Sequence, residues 1–179
     1  MSRDFVDDLL TAVDRAVPAL LALGDERSRA HPAPGKWSPR EVIGHLVDSA
    51  SNNHQRFVRA QLQDDLIFPG YDQAAWVRLQ RYAESPWDDL VALWAGFNRH
   101  IAHVMAAAPE DQLTRLRPRH NLHELAWVAV PSHEPATLEY FMRDYVGHLR
   151  HHLRQVLDVA DHPWLAEGRT SGSAPTISS

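Results

Sequence analysis

The sequence predicts an all-α protein, a four-helix bundle with one short extra helix and a long connection before the last helix. Four stretches of the sequence predict the four long helices, because apolar residues recur in each at the three- and four-residue spacing of one helical face. A second observation is that capping residues precede three of these stretches. Long helices joined by short or medium connections are typical of bundles, whose metal sites use inward residues on facing helices.

The first helix is predicted over residues 4–23. Pro18 removes one backbone donor from it and is expected to kink its last turn. A loop rich in Ala, Pro and Gly is predicted from Gly24 to Trp37. Because this short loop joins them, we expect the first and second helices to be antiparallel neighbours. The apolar face of the first helix comprises Phe5, Leu9, Ala12, Val13, Ala16, Val17, Leu20 and Leu21.

The second helix has the strongest start signal in the chain. Ser38 can cap it, Pro39 suits its first turn, and Glu41 completes a capping box. We predict that it runs to about Leu62. Polar residues rarely cluster beside an apolar stripe unless they serve one another or a ligand. Four such residues share one side of this helix, namely His45, Asp48, Ser49 and Asn52.

The rest of the chain supplies the extra helix, the third long helix and the last long helix. The short helix covers about 72–82, and the third long helix runs from Ser85-Pro86 to about 107. Residues 109–136 form the long connection. A connection of this length is usually functional, disordered or packed as its own cover, and residues 126–130 are predicted as either a short strand or an extended lid segment. Thr137 caps the last helix, from 138 to about 160. A domain over 1–166 is followed by a disordered tail, 167–179.

The composition excludes several classes of protein. The formal charge of the 179 residues is -5, with acids and bases interspersed, and no basic stripe is present that would follow nucleic-acid phosphates. There is no cysteine, so any metal must be held by His, Asp or Glu. No apolar run approaches the ~20 residues of a membrane span, and the N-terminus lacks a signal pattern. We therefore predict a cytoplasmic protein that binds neither nucleic acid nor membrane.

Two histidines of the last helix carry the main functional hypothesis. His148 and His152 are four residues apart, which places both on one helical face and lets them bind one metal ion. His45, on the second helix, is the best candidate for a third ligand. The alternative is that His148 and His152 are edge residues hydrogen-bonded to Asp48 or water. His151 points about 100° away and is expected to face solvent.

The residues from Trp37 to Ser49 resemble the second-helix motif of the DinB-like superfamily, in the branch of bacillithiol transferases and metal-dependent hydrolases. Arg56-Phe57 and the segment 71–76 continue the match, and 145–152 resembles the closing histidine motif. The resemblance implies an up-down-down-up bundle that is often a homodimer. It also implies a divalent ion, commonly zinc or nickel, with the ligands His45, His148 and His152.

The resemblance further implies a metal-dependent enzyme, either a thiol S-transferase using a low-molecular-weight thiol or a hydrolase of a small molecule. The alternative is a non-catalytic bundle that binds a metal or a small molecule. Asp48 is a candidate catalytic base or partner of a metal ligand, and equally a surface acid. Asn52, Arg56 and Tyr71 are candidate substrate-binding residues, although a structural ion pair would also explain Arg56. Core positions are predicted for Trp76, Trp87, Trp94 and Trp127.

Overall fold

The computed structural model describes residues 3–166 and confirms the all-α class. Within these residues it contains two isolated β-bridges and no strand. Short 3-10 turns cover Tyr82–Glu84 and Pro163–Leu165. The predicted tail, 167–179, lies outside the described residues. In chain order the helices are α1 (Asp4–Arg29), α2 (Pro39–Arg59), α3 (Gln73–Gln80), α4 (Trp87–Ala107), α5 (Glu110–Thr114), α6 (Leu122–Leu125) and α7 (Leu138–Val156).

The four long helices α1, α2, α4 and α7 form an up-down-down-up bundle, as expected. Ion pairs join α1 and α7 in the same chain order, Asp4 with Arg143 and Asp8 with Arg150, so these two helices are parallel. Four contacts fix the direction of α2, which is antiparallel to α7 and parallel to α4. They are His45–His152, Phe57–Phe141, Arg40–Ser85 and His54–Phe97.

Helix α1 differs from its prediction in length and in its neighbours. It continues to Arg29, and its backbone break is at Gly24, whose φ of 70° lies in the left-handed region that glycine tolerates. Pro18 remains within regular helix. Helices α1 and α2 are antiparallel, as expected, because α1 is parallel to α7 and α2 is antiparallel to it. The expectation that they are close neighbours is wrong, because α1 packs chiefly on α4.

Helix α2 begins as predicted and is buried along most of its length. Ser38 accepts a hydrogen bond from the backbone N–H of Glu41, and the Glu41 carboxylate accepts one from the backbone N–H of Ser38. This capping box stabilises a helix start by about 1 kcal/mol. Because α2 packs on both α4 and α7, polar side chains on its α7 side are held inside the bundle.

The tryptophans divide into two groups. Trp87 and Trp94 lie in the core, as predicted, and Trp87 donates its indole N–H to the carbonyl of Leu20 at 2.8 Å. Trp76 and Trp127 are 36% and 47% exposed, so the prediction of core positions is wrong for them. Both belong to segments outside the four long helices, where periodicity carries no information on burial.

Candidate metal centre

Three histidines meet between α2 and α7. Ring nitrogens of His45, His148 and His152 all lie within 4.8 Å of one another. The Nε2 atoms of His148 and His152 are 3.0 Å apart. Two imidazole ligands of one zinc ion at about 2.1 Å are separated by roughly 3.0–3.4 Å, depending on the coordination angle. The three residues that the sequence singled out are therefore close enough to share one cation.

The backbone explains this convergence. His148 and His152 are one turn apart on α7, so their rings lie on the same face. His45 lies in the second turn of α2, behind the capping box, where the helix is rigid. Since α2 and α7 are antiparallel, the start of α2 faces the end of α7. Both pairings of His45, with His148 and with His152, bring ring centroids within 5.4 Å.

The electrostatics keep these imidazoles neutral. Burial, with a smaller contribution from His152, lowers the pKa of His45 to about 4. Burial, followed by the charges of His152 and His45, lowers the pKa of His148 to about 3. Burial also lowers the pKa of His152. Neutral imidazoles have a free lone pair, which is the form that binds a metal.

His45 gives the clearest indication of a ligand site. Its side chain is fully buried, and neither Nδ1 nor Nε2 has a hydrogen-bond partner among the described residues. An unsatisfied buried polar atom costs about 1–3 kcal/mol, so native proteins rarely retain one without a role. A cation bound between the three rings would satisfy His45, and the donor set of three imidazoles suits a first-row divalent ion.

Gln155 orients the ring of His152. This role of Gln155 was not predicted from the sequence. The His152 Nδ1–H donates to Gln155 Oε1 at 2.9 Å, which assigns the hydrogen to Nδ1 and leaves the Nε2 lone pair facing His148. The Gln155 amide is also 3.2 Å from His151 Nε2. Ligating histidines commonly donate their other N–H to such a partner. The signal was present in the sequence, because Gln155 is three residues from His152 on the same helix.

Asp48 does not contact His45, although it was a candidate partner of a metal ligand. Its Oδ1 accepts hydrogen bonds from the Tyr82 hydroxyl at 2.7 Å and from Gln80 Nε2 at 2.5 Å, and none comes from His45. Tyr82 reaches Asp48 because its ring lies directly over Gly44, where a Cβ atom would be 2.2 Å from the ring. Burial raises the pKa of Asp48, and its Oδ2 has no partner among the described residues.

A cavity of about 480 Å³ opens beside His148 and His152. Arg56 and Tyr71 belong to its wall, as the substrate-binding prediction requires, whereas Asn52 does not. Asn52 instead donates to the carbonyl of Asp48 on its own helix, at 2.9 Å. The neighbouring Asn53 belongs to the wall together with Ser49, one turn before it on α2.

The segment 126–130 closes one side of this cavity, and the predicted short strand is absent there. The Asp144 carboxylate accepts hydrogen bonds from the backbone N–H groups of Trp127 and Val128, both at 2.8 Å. The Tyr140 hydroxyl donates to the carbonyl of Val128 at 2.8 Å. The alternative expectation, an extended segment covering the bundle, agrees with these contacts. Asp144 and Tyr140, both on α7, therefore hold the segment 126–130 over the cavity.

His151 is closer to the site than predicted. It is half-buried, its ring lies 5.3 Å from that of Trp127, and it belongs to the cavity wall. The expectation that it faces solvent is wrong. The helical period gives the direction of His151 on α7, but it does not show that the segment 126–130 packs against that face. The closeness of Trp127 also depends on Gly147, where an added Cβ would lie 3.0 Å from the indole ring.

A second cavity, of about 690 Å³, reaches the same centre from the other side of His152. Its wall is formed mainly by the α1–α2 connection, including Lys36 and Trp37, and by Gln155 and Val156 of α7. The Trp37 ring lies 5.3 Å from that of His45. His152 is thus accessible from two directions.

Comparison with known proteins places the chain in a family. A model described as the DinB superfamily matches residues 9–156. "Putative metal-dependent hydrolase OB0413" of Oceanobacillus iheyensis is 24% identical over 110 residues, 62% of this chain and 63% of that protein. "Putative metal-dependent hydrolase YfiT" of Bacillus subtilis is 23% identical over 126 residues, 70% of this chain and 65% of that protein. The matched region therefore spans less than two thirds of the length of each relative.

The solved structure of YfiT from Bacillus subtilis, described as "a probable metal-dependent hydrolase with an unusual four-helix bundle topology", has the same fold. Its TM-score is 0.71 at 20% sequence identity, and the match covers 91% of this chain and 90% of that one. The bundle and the resemblance found in the sequence are thereby confirmed. Because the family model matches most of its length, the chain belongs to the DinB superfamily.

Proposed function

We propose that this protein is a metal-dependent hydrolase that binds one divalent ion through His45, His148 and His152. The observation that carries the proposal is the buried His45, whose two ring nitrogens have no partner among the described residues. Zinc and nickel are the favoured ions, since imidazole suits both and the chain has no cysteine. The names of the two relatives support a hydrolase, and the cavity suits a small-molecule substrate.

A divalent ion in this position would polarise a carbonyl group and lower the pKa of a coordinated water or thiol toward neutrality. The side chains of the chain have separate roles. Gln155 holds the His152 ring in one tautomer, and Trp127 with the segment fixed by Asp144 keeps water out of one side of the cavity. Asp48 fixes Tyr82 against the α2 turn that carries His45, and its unpartnered Oδ2 is a candidate proton acceptor.

A thiol S-transferase is the second candidate, and the two cavities meeting at His152 favour it. A transferase needs simultaneous access for a low-molecular-weight thiol and for its electrophile, whereas a hydrolase needs only one large substrate site. The wall of the second cavity includes the exposed Lys36 and the half-buried Trp37, which suits a small thiol with both apolar and anionic parts.

Metal analysis followed by turnover assays tests these proposals. Protein purified without chelator or nickel resin is expected to contain one equivalent of zinc or nickel, and the His148→Ala variant none. Metal-loaded protein is then incubated with a panel of esters, amides and alkylating electrophiles, with and without a small thiol. Turnover with water alone supports the hydrolase, and thiol-dependent turnover supports the transferase. Tight metal binding without turnover supports the non-catalytic binding protein, and absence of metal contradicts the metal centre.

The homodimer and the cytoplasmic location are further proposals, which rest on the sequence and its resemblance. Among the described residues, no helix is long and apolar enough to cross a membrane. Light scattering at several concentrations gives the molar mass, with about twice the mass of one chain expected.

A further inference from the structure

We propose that Arg56 and Tyr71 form a subsite for a carboxylate group on the substrate, in the same cavity as the three histidines. The reacting end of that substrate lies at the histidines, and this part rests on the proposed function. The subsite itself does not require a metal and can be tested without one. It narrows the substrate class to small molecules that carry a carboxylate at the end opposite the reacting bond.

The first observation is the unusual bonding of Arg56. Its side chain is only 6% exposed, yet its two hydrogen bonds go to neutral oxygens. They are the carbonyl of Pro69 at 2.9 Å and the Asn53 side-chain oxygen at 3.4 Å. No carboxylate lies within ion-pair distance among the described residues. A guanidinium has five N–H donors, so three of them remain for a ligand. Buried charges are ordinarily paired, and this pairing is missing.

The other buried arginines show what a purely structural guanidinium looks like. Arg40 and Arg150 each pair with a carboxylate, of Asp25 and Asp8 respectively. Arg117 has no carboxylate, but it donates to four oxygens of the surrounding chain and belongs to no wall of the cavity beside the histidines. Arg56 alone among these four combines incomplete bonding with a position in that wall.

The second observation is the position of Arg56 relative to the histidines. It follows His45 by eleven residues on α2, which is close to three full turns. The two residues therefore lie on nearly the same face, with their backbones about 16 Å apart along the axis. The wall of the cavity contains Arg56 together with His148 and His152, whereas His45 lies behind these two rings and outside the wall. A small substrate can thus contact Arg56 with one end and the histidines with the other.

Tyr71 adds a neutral donor beside the cation. Burial, and next the charge of Asp48, raise the pKa of Tyr71 to about 12, so its hydroxyl keeps its proton at neutral pH. The ring is held by contact with Trp76, at a centroid distance of 4.8 Å. A planar guanidinium fork matches the two oxygens of a carboxylate, and a phenol can donate to either oxygen. The chemistry of the pair therefore favours a carboxylate over a neutral amide.

Isothermal titration calorimetry with a matched pair of probes tests the subsite. The probes are 4-phenylbutyrate and its neutral analogue 4-phenylbutyramide, at constant ionic strength. We expect the carboxylate to bind at least tenfold more tightly than the amide. Titrations of the His148→Ala variant exclude direct binding of the carboxylate to a metal, and the preference is expected to persist there.

The decisive variant is Arg56→Met, and its matched control is Arg59→Met. Arg59 is exposed on the same helix, so its substitution changes the net charge equally without touching the cavity. We expect the preference for the carboxylate to fall below twofold in Arg56→Met and to be unchanged in Arg59→Met. If Arg56→Met does not fold, as judged by circular dichroism, Arg56→Lys replaces it. Lysine lacks the fork, and we then expect a severalfold loss of preference.

The outcomes separate this proposal from the metal centre. A wild-type preference below twofold, or a preference that survives in folded Arg56→Met, overturns the subsite. An unchanged preference in Arg56→Lys overturns it where that variant is the one used. Tighter binding of 3-phenylpropylphosphonate than of the carboxylate overturns the assignment to a carboxylate. If the protein holds no metal but the preference depends on Arg56, the subsite stands and the proposed function fails. One equivalent of metal in Arg56→Met with no preference left supports both.

Discussion

Arg40 and Arg56 lie on the same helix and are both buried, but they differ in how their donors are used. Arg40, at the start of α2, donates to Asp25, to the Ser28 hydroxyl and to the carbonyl of Ser85. Arg56, near the end of α2, has two neutral partners and contributes to the cavity wall. The first guanidinium pairs with a carboxylate and bonds two further oxygens, and so holds α1, α2 and the start of α4 together. The guanidinium of Arg56 retains N–H donors that are available to a ligand.

The same contrast separates the other polar residues of α2. Ser38 and Glu41 satisfy each other in the capping box, whereas His45 has both ring nitrogens unpartnered among the described residues. Burial alone therefore does not identify a functional residue. A buried polar group indicates a ligand site when its hydrogen-bonding capacity is unused and a cavity reaches its neighbourhood. Each prediction below tests this distinction, beginning with the largest expected effect.

Metal binding at the three histidines should stabilise the folded protein. A ligand that binds only the folded state at a thousandfold over its Kd raises the free energy of unfolding by about 4 kcal/mol. We expect this increase for zinc or nickel with the wild-type protein and none with His148→Ala. Denaturant unfolding at fixed free metal concentration measures it. An equal increase in both proteins would mean that the ion binds elsewhere.

Replacing Arg40 should damage the fold without affecting the metal centre. In Arg40→Ala, the hydroxyl of Ser28 and the carbonyl of Ser85 lose their donor inside the protein, so we expect the free energy of unfolding to fall by about 3 kcal/mol. The control is Arg29→Ala, which removes an exposed arginine that pairs with the same Asp25. That variant should show little change. Metal content in Arg40→Ala should stay at one equivalent, and its loss would contradict the separation of the two regions.

The metal-free protein should lose stability on mild acidification. The folded pKa of His45 is lowered to about 4 from an ordinary 6.5, so between these values the unfolded chain binds more protons. Stability is therefore complete above pH 6.5 and declines as the pH falls toward 4, by about 3 kcal/mol for this residue. The difference in unfolding free energy between wild type and His45→Leu, measured across this range, cancels the other titrating groups. A difference that is independent of pH would show that His45 is accessible to protons in the folded state.

The smallest effect is expected at the capping box. Ser38→Ala removes the side-chain acceptor of the Glu41 backbone N–H, which typically costs about 1 kcal/mol. Ser51→Ala, within the same helix, is the control and should change stability by less than about 0.5 kcal/mol. Thermal unfolding of the two variants gives the comparison. If Ser38→Ala also released the metal, the start of α2 would belong to the site and not only to the fold.

Helix bounds and the histidine pair were predictable from the sequence because both depend on local geometry. The third long helix was predicted to end at about residue 107 and does so at Ala107. The four-residue spacing of His148 and His152 fixes their shared face wherever α7 packs. Periodicity also placed His45 beside the inward apolar stripe of α2. The metal-binding role of all three residues stays a prediction until an ion is measured.

Errors arose where a contact joins segments distant in sequence. Asp48 was a candidate partner of a metal ligand, but its carboxylate binds the hydroxyl of Tyr82, whose ring fits over Gly44. Asn52 was chosen where Asn53 is in the wall, because the rotation of α2 against α7 is not written in either helix alone. His151 was expected in solvent, but Trp127 covers it once Asp144 fixes the connecting segment.

By itself, the sequence determined where the long helices begin, which of their faces are apolar, and which imidazoles share a face of α7. These properties follow from the helical period and from capping, which act over four residues or fewer. Only the tertiary structure decided that α1 packs on α4, that Arg40 pairs with a carboxylate while Arg56 does not, and that two cavities meet at His152. Those properties depend on how helices rotate and pack against one another, which is decided by the sum of many distant contacts.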